Sequence, residues 1–211
     1  MYMKQMFTET RPEVLRAMVR EYPFATLIVP TGQDVLADHL PMELVEDTGG
    51  GFGLLRGHLA RGNPLWKEIG AGRPALAIIQ GPHGYITPNW YPSKHRTGEA
   101  LPTWNYTAVH LRGTLRAIED EAWLRGHIGR LSDHMERGQA HPWRVEDAPE
   151  AFTAKMVRGI VGLELRVEQV DGKRKTSQNR PPEDRAGVVA GLRASAAMPP
   201  MPTPWRDWWK R

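Results

Sequence analysis

The chain has no cysteine in its 211 residues. That one absence excludes disulfide scaffolds, thiolate zinc sites, iron–sulfur clusters and cysteine nucleophiles. Long apolar runs are missing too. Phe24 to Pro30 and Pro74 to Ile79 are the most apolar stretches, well short of the roughly 18 residues a membrane-spanning helix needs. The N-terminus has no apolar signal core. A soluble, cytoplasmic protein with no membrane partner is expected. Serine is scarce, with four residues, and none sits in a Gly-x-Ser-x-Gly elbow. Phosphate loops of the Gly-x-Gly-x-x-Gly or Walker kind are absent, and Gly49-Gly50-Gly51 reads as a turn. No helix-turn-helix pattern offers a recognition element for DNA.

What is present is one domain's worth of chain with a distinctive ending. Eight tryptophans, 21 glycines and 18 prolines accompany 28 basic and 24 acidic side chains. The length suits one folded domain over 1–193, able to bury roughly 70% of its unfolded surface. A Pro/Trp-rich tail follows over 194–211, with Trp205, Trp208 and Trp209. Charge is uneven: residues 1–172 hold 19 basic and 21 acidic groups, and residues 173–211 hold 9 and 3. The cluster Lys173, Arg174, Lys175 and Arg180 can attract a phosphate, a nucleic-acid backbone or only water.

Periodicity and punctuation divide the chain into elements. Thr10 and Glu13 form a capping-box pattern with Pro12 in the first turn, opening a helix that presents Val14, Leu15, Met18 and Val19 and stops near Tyr22-Pro23. Strands are expected at 24–30, from Val35 to about Val45, and at 52–59, 75–80, 103–118 and 160–170, with a turn at Thr31–Asp34. Asn63-Pro64 caps a short helix through Ile69. Further helices are expected at 119–137, with Trp123, Leu124, Ile128 and Leu131 on one stripe, and at 149–157 and 183–192. Four prolines between Gly81 and Thr103 suggest an irregular loop, with a short strand at Tyr85–Thr87. Many short strands with helices inserted among them argue for an antiparallel β-barrel rather than a doubly wound sheet.

Four polar-aromatic clusters interrupt this pattern: His39-Leu40-Pro41, the run Gly57 to Pro64, the pair Tyr85–Tyr91 and Leu101–Tyr106, and Lys173 to Asn179. In the second, Arg61 lies beside a helix N-terminus, a natural phosphate site. Trp90, Tyr91, Trp104 and Tyr106 offer aromatic faces; Asn89, Asn105, Gln178 and Asn179 offer amides that donate and accept at once. The inventory suits holding a flat, phosphorylated aromatic ligand better than hydrolysis. His127, His134 and His141 recur every seven residues. Helix rise separates residues two turns apart by about 10 Å, so they cannot share one ion and read as surface histidines.

At these clusters the sequence resembles the PaiB family, FMN-binding negative transcriptional regulators of the split-barrel fold. The resemblance rests on several motifs in family order: Phe24-Ala-Thr-Leu, His39-Leu-Pro, Gly57-His-Leu-Ala-Arg-Gly-Asn-Pro, Gln80 through Tyr91, Pro102 through His110, Ile160-Val-Gly and Lys175-Thr-Ser-Gln-Asn179. It spans nearly the whole chain through Leu192, and only the tail has no counterpart. It implies a mainly β fold with added helices, a six-stranded antiparallel split β-barrel. It also implies a homodimer with FMN in a groove between subunits. Carried over by position, the isoalloxazine is set near His39, Leu40, Pro41, Met42 and His58, with Trp104 and Asn105. The phosphate is set near Arg61, Asn63, Lys175 and Ser177, and Gln178 and Asn179 close the ring edge. DNA is the partner the family label implies. Two other readings of the same fold stay open: an FMN-dependent oxidoreductase of pyridoxamine-phosphate-oxidase or flavin-reductase type, and a haem-binding or haem-degrading barrel with His39 or His58 as axial ligand.

Overall fold

The computed structural model describes residues 1–47, 49–70 and 72–197. Its strands are β1 (Thr8–Glu9), β2 (Phe24–Pro30), β3 (Val35–Pro41), β4 (Glu43–Val45), β5 (Leu54–Ala60), β6 (Arg73–Ile86), β7 (Thr103–Ile118) and β8 (Ile160–Lys175). The helices are α1 (Pro12–Glu21), α2 (Leu65–Ile69), α3 (Pro92–Thr97), α4 (Glu121–Met135), α5 (Glu150–Arg158) and α6 (Pro182–Ala197). Positions 198–211 of the expected tail lie outside the described residues.

The strands form one sheet in the order β3-β2-β6-β7-β8-β5-β4, with β1 pairing β8 at Thr8↔Lys173 and Glu9↔Gly172. The two ends of that path, β3 and β4, are separated only by Met42, so the sheet returns onto itself through one buried residue. The strand expected over 35–45 is thus β3 plus β4, and with the two-residue β1 set aside the barrel has the six expected members. Closure needs close approach: a Cβ on Gly57 of β5 would stand 2.9 Å from Leu40 Cδ1 and 3.1 Å from the Pro41 carbonyl. Glycine at 57 is what allows the backbones to meet there.

β6 runs on through Pro82, where a loop is expected from the prolines. The β2 register on β6 ends at Ala25↔Ile79, so on that side Pro82 forfeits no ladder bond. At α1 the capping box does not form: Arg11 is the N-cap, and the Glu9 carboxylate accepts its backbone N–H at 3.1 Å and its guanidinium. The expected apolar face does form, with Leu15 and Val19 buried and Met18 packed on the core.

The described chain divides into two compact units. Unit one comprises residues 1–2, 8–81 and 108–173. It holds the main core, including Leu27, Met42, Leu55, Ile79, Leu111, Leu115, Leu163 and Leu165, all fully buried. Unit two comprises 3–7, 82–107 and the described residues from 174 on. Its smaller core is Ile86, Tyr91 and Val188, with Trp90 and Ala100 against it.

Candidate functional site

In unit two, the turn after β8 is built around Ser177, a buried non-glycine residue held at φ 64°. That left-handed conformation costs on the order of 1 kcal/mol for a residue with a Cβ. It places Ser177 Oγ where Asn105 Nδ2 donates to it at 2.9 Å. Asn105 Oδ1 is then buried with no partner among the described residues. Lys175 Nζ donates to Thr103 Oγ1 and, at 2.8 Å, to the Trp104 carbonyl, and it has no carboxylate partner among the described residues. Gln178 holds the turn closed: Oε1 accepts from the Thr176 amide at 2.6 Å, while Nε2 donates to the Arg174 carbonyl and to the Met6 carbonyl at 3.1 Å. Asn179 is exposed.

Beside this turn, Trp104 is about half exposed, stacked on His83 with centroids 5.9 Å apart and edge-on to Tyr85 at 6.3 Å. The other two aromatics of the third cluster are structural. Tyr91 is fully buried with the Arg180 guanidinium 4.5 Å from its ring centroid. Trp90 packs on α6, where Gly187 and Gly191 leave room for its backbone and indole.

In unit one the remaining predicted residues divide by burial. His39 is exposed beside Phe24, while Leu40 and Met42 point into the core, so neither side chain is offered on the face that His39 presents. Arg61 is already held by its own fold. Its guanidinium donates to Glu119 at 2.6 Å and to the carbonyls of Arg158 and Ile160 at 2.9 and 3.2 Å. Asn63 Nδ2 donates to the Asp38 carboxylate, and its Oδ1 accepts the Leu65 amide, capping α2 as expected.

His58 has the partner that sequence reasoning missed. Its Nδ1 lies 3.2 Å from His127 Nε2. The surface reading fails for His127, which is fully buried, stacked on Trp123 at 5.3 Å. The 123/127 spacing of i and i+4 on α4 carried that signal, since these positions share a face. Gly162 on β8 makes the slot: a Cβ there would stand 2.3 Å from the Trp123 ring. Glu43 Oε2 stands 3.5 Å from His127 Nδ1, and Arg130 Nε donates to both Glu43 oxygens at 3.1 and 3.2 Å. The His127–Glu43 contact is too long for a strong hydrogen bond, and His127 Nδ1 has no other partner among the described residues. Burial, with the charge of His127 second, pushes the His58 pKa down to about 4. Burial opposes ionisation of Glu43, but its contacts with His127 and Arg130 win and hold its pKa below the ordinary value.

The family described as "Putative FMN-binding domain" matches residues 1–169. The protein "Protease synthase and sporulation protein PAI 2" of Bacillus subtilis is 30% identical over 91% of this chain and 89% of its own. The chain belongs to the PaiB-type FMN-binding domain family. FMN is the cofactor that this family's description carries. The PaiB-type chain shares its fold with a FAD and heme binding protein from Mycobacterium smegmatis, at TM-score 0.61 and 19% identity over 87% of this chain and 80% of that one. It shares it also with the flavocytochrome Anf3 from Azotobacter vinelandii, at TM-score 0.63 and 15% identity over 88% and 78%. The sheet described above is therefore a flavin-type split barrel. No helix among the described residues is long and apolar enough to cross a membrane.

The unit-two turn fits a flavin nucleotide chemically. A cation without a carboxylate and a serine hydroxyl that accepts from Asn105 suit a phosphate. An orphaned buried carbonyl oxygen on Asn105 suits the single ring N–H donor of an isoalloxazine edge.

Proposed function

We propose that this protein is a PaiB-type negative transcriptional regulator that binds FMN, works as a homodimer in the cytoplasm, and meets DNA through basic residues from Lys173 onward. The observation that carries the FMN half is the Lys175, Ser177 and Asn105 constellation: a cation at the end of β8 with no carboxylate partner among the described residues, and an orphaned acceptor on β7 whose amide is tied to Ser177. In this reading Lys175 and Ser177 take the phosphate, Asn105 the ring N–H, and Trp104 the ring face, with Gln178 holding the turn and Asn179 at its edge. Arg61 and Asn63 are proposed to serve the fold rather than the phosphate, because their polar atoms already have internal partners. The regulator half rests on the motif resemblance to the PaiB regulators and on the basic excess after residue 172.

The test is an FMN titration read by flavin fluorescence. Removing Lys175 as Lys175→Met should cost about 2 kcal/mol of affinity, roughly thirtyfold, because a charge-assisted contact is lost and the anion is left under-neutralised. Unchanged affinity would overturn the placement. Sedimentation of the purified protein tests the dimer. A gel shift with salt titration tests DNA, since backbone binding must weaken steeply with salt. NAD(P)H consumption by the FMN-loaded protein would favour an oxidoreductase instead.

A further inference from the structure

Unit one holds a cavity of about 270 Å³ between the end of α1, the β3–β4 junction and the last turns of α4. That lies at the lower edge of the ~300–1,000 Å³ typical of drug-sized sites, a size that suits a small metabolite.

The lining is amphipathic. Met42, Leu44 and Leu131 provide an apolar floor, the first two buried in the core. His134 Nε2 lies 3.2 Å from the Arg20 carbonyl. A carbonyl only accepts, so the imidazole donates, and this bond ties the end of α4 to the end of α1. Charge then decides the class of occupant. Arg130 and Glu43 neutralise each other across the wall. Arg137 has no ion pair among the described residues, and Arg20 has only a 3.5 Å contact with the largely exposed Glu46. Against these two guanidinium groups stands one carboxylate, Asp133, also without an ion pair among the described residues. The surplus is positive, and guanidinium forks match a carboxylate in shape.

We propose that this cavity binds a small organic monocarboxylate, its chain on Met42, Leu44 and Leu131 and its carboxylate on Arg20 and Arg137, and that its occupancy is read at His58 through Glu43 and His127. The coupling is physical contact. Glu43 lines the cavity and faces His127, whose other ring nitrogen faces His58. A carboxylate held on Arg20 and Arg137 adds a negative charge to the cavity that Glu43 and Arg130 also line, and so alters the field on the histidine pair. By linkage, whatever His58 contacts then alters affinity in the cavity by the same factor. The proposal does not rest on the flavin reading.

Calorimetry of the whole chain with hexanoate, and with hexylammonium as the charge-reversed probe, tests the site. Saturable hexanoate binding is expected, with hexylammonium at least about tenfold weaker. The exposed double variant Arg20→Ala/Arg137→Ala should keep its circular dichroism and lose at least about tenfold in hexanoate affinity. Nitrogen-15 spectra of the histidine rings should show His58 shifting with hexanoate in the wild type, with or without FMN. No saturable hexanoate binding up to about 50 mM, equal binding of hexylammonium, or an unaffected double variant would overturn the site. A stationary His58 signal at saturating hexanoate would overturn the coupling.

Discussion

His58 on β5 and His127 on α4 face each other nitrogen to nitrogen at 3.2 Å, with His127 sealed from solvent. Two imidazoles at this distance share one proton donor, so both cannot be charged at modest cost, and burial penalises the first charge as well.

The sign of the pH dependence follows. His58 has a folded pKa of about 4, depressed from 6.5, so protons bind the unfolded chain more readily. Its contribution is complete above pH 6.5 and is lost as pH falls toward 4. A depression of this size corresponds to stability on the order of 3 kcal/mol. His110 is depressed too, chiefly by burial, and adds in the same direction. Between about pH 6.5 and 5 most carboxylates stay ionised, so urea unfolding across that window isolates the histidines. The midpoint should fall with pH in the wild type and fall less in His58→Gln; equal slopes would refute the assignment.

Unit two should respond sharply to added bulk on α6. A Cβ at Gly187 would stand 1.9 Å from the Trp90 carbonyl, and one at Gly191 2.3 Å from the Trp90 indole. Neither backbone nor a packed indole yields cheaply, so Gly187→Ala is expected to cost about 1–3 kcal/mol or more. Adding a helix former at an exposed helical position would instead stabilise. Thermal unfolding separates the two outcomes by sign.

These contacts show where the sequence was legible. β2 and β7 have the residue ranges that their β-branched and aromatic runs predict, and Asn63 caps α2 as its place before Pro64 suggests. β6 between Gln80 and Tyr85 was hidden because proline is read as a breaker, and the β2 ladder's end at Ile79 means that Pro82 forfeits no bond on that side. The site was half legible. Lys175, Ser177 and Asn105 meet as a group, but the stacking role of Trp90 and Tyr91 yields to core packing. Burial of His127 depends on a glycine on β8, 35 positions away in the chain, and local spacing alone carries no record of that pairing.

Arg61 provides a test that separates fold from ligand. Its three internal acceptors include two main-chain carbonyls at the α5–β8 turn. Loss of Arg61 leaves those carbonyls with fewer donors, and Arg61→Ala should lower stability by about 1–2 kcal/mol. FMN affinity measured well below the melting temperature should change by less than about threefold, a shift under ~0.7 kcal/mol. A loss as large as that for Lys175→Met would move the phosphate to Arg61.

Ser177→Gly weighs strain against function at one position. Glycine adopts φ 64° without the Cβ penalty, which favours the variant by on the order of 1 kcal/mol. The same change deletes the hydroxyl that accepts from Asn105 Nδ2, a loss of similar size. The two effects nearly cancel, and unfolding free energy should move by less than about 1 kcal/mol. FMN affinity has no such compensation: the hydroxyl is gone and Asn105 is freed to rotate, so about a tenfold weakening is expected. Equal stability with weaker FMN binding means the left-handed serine is kept for the ligand. Equal stability with unchanged binding would assign the strained turn to the fold alone.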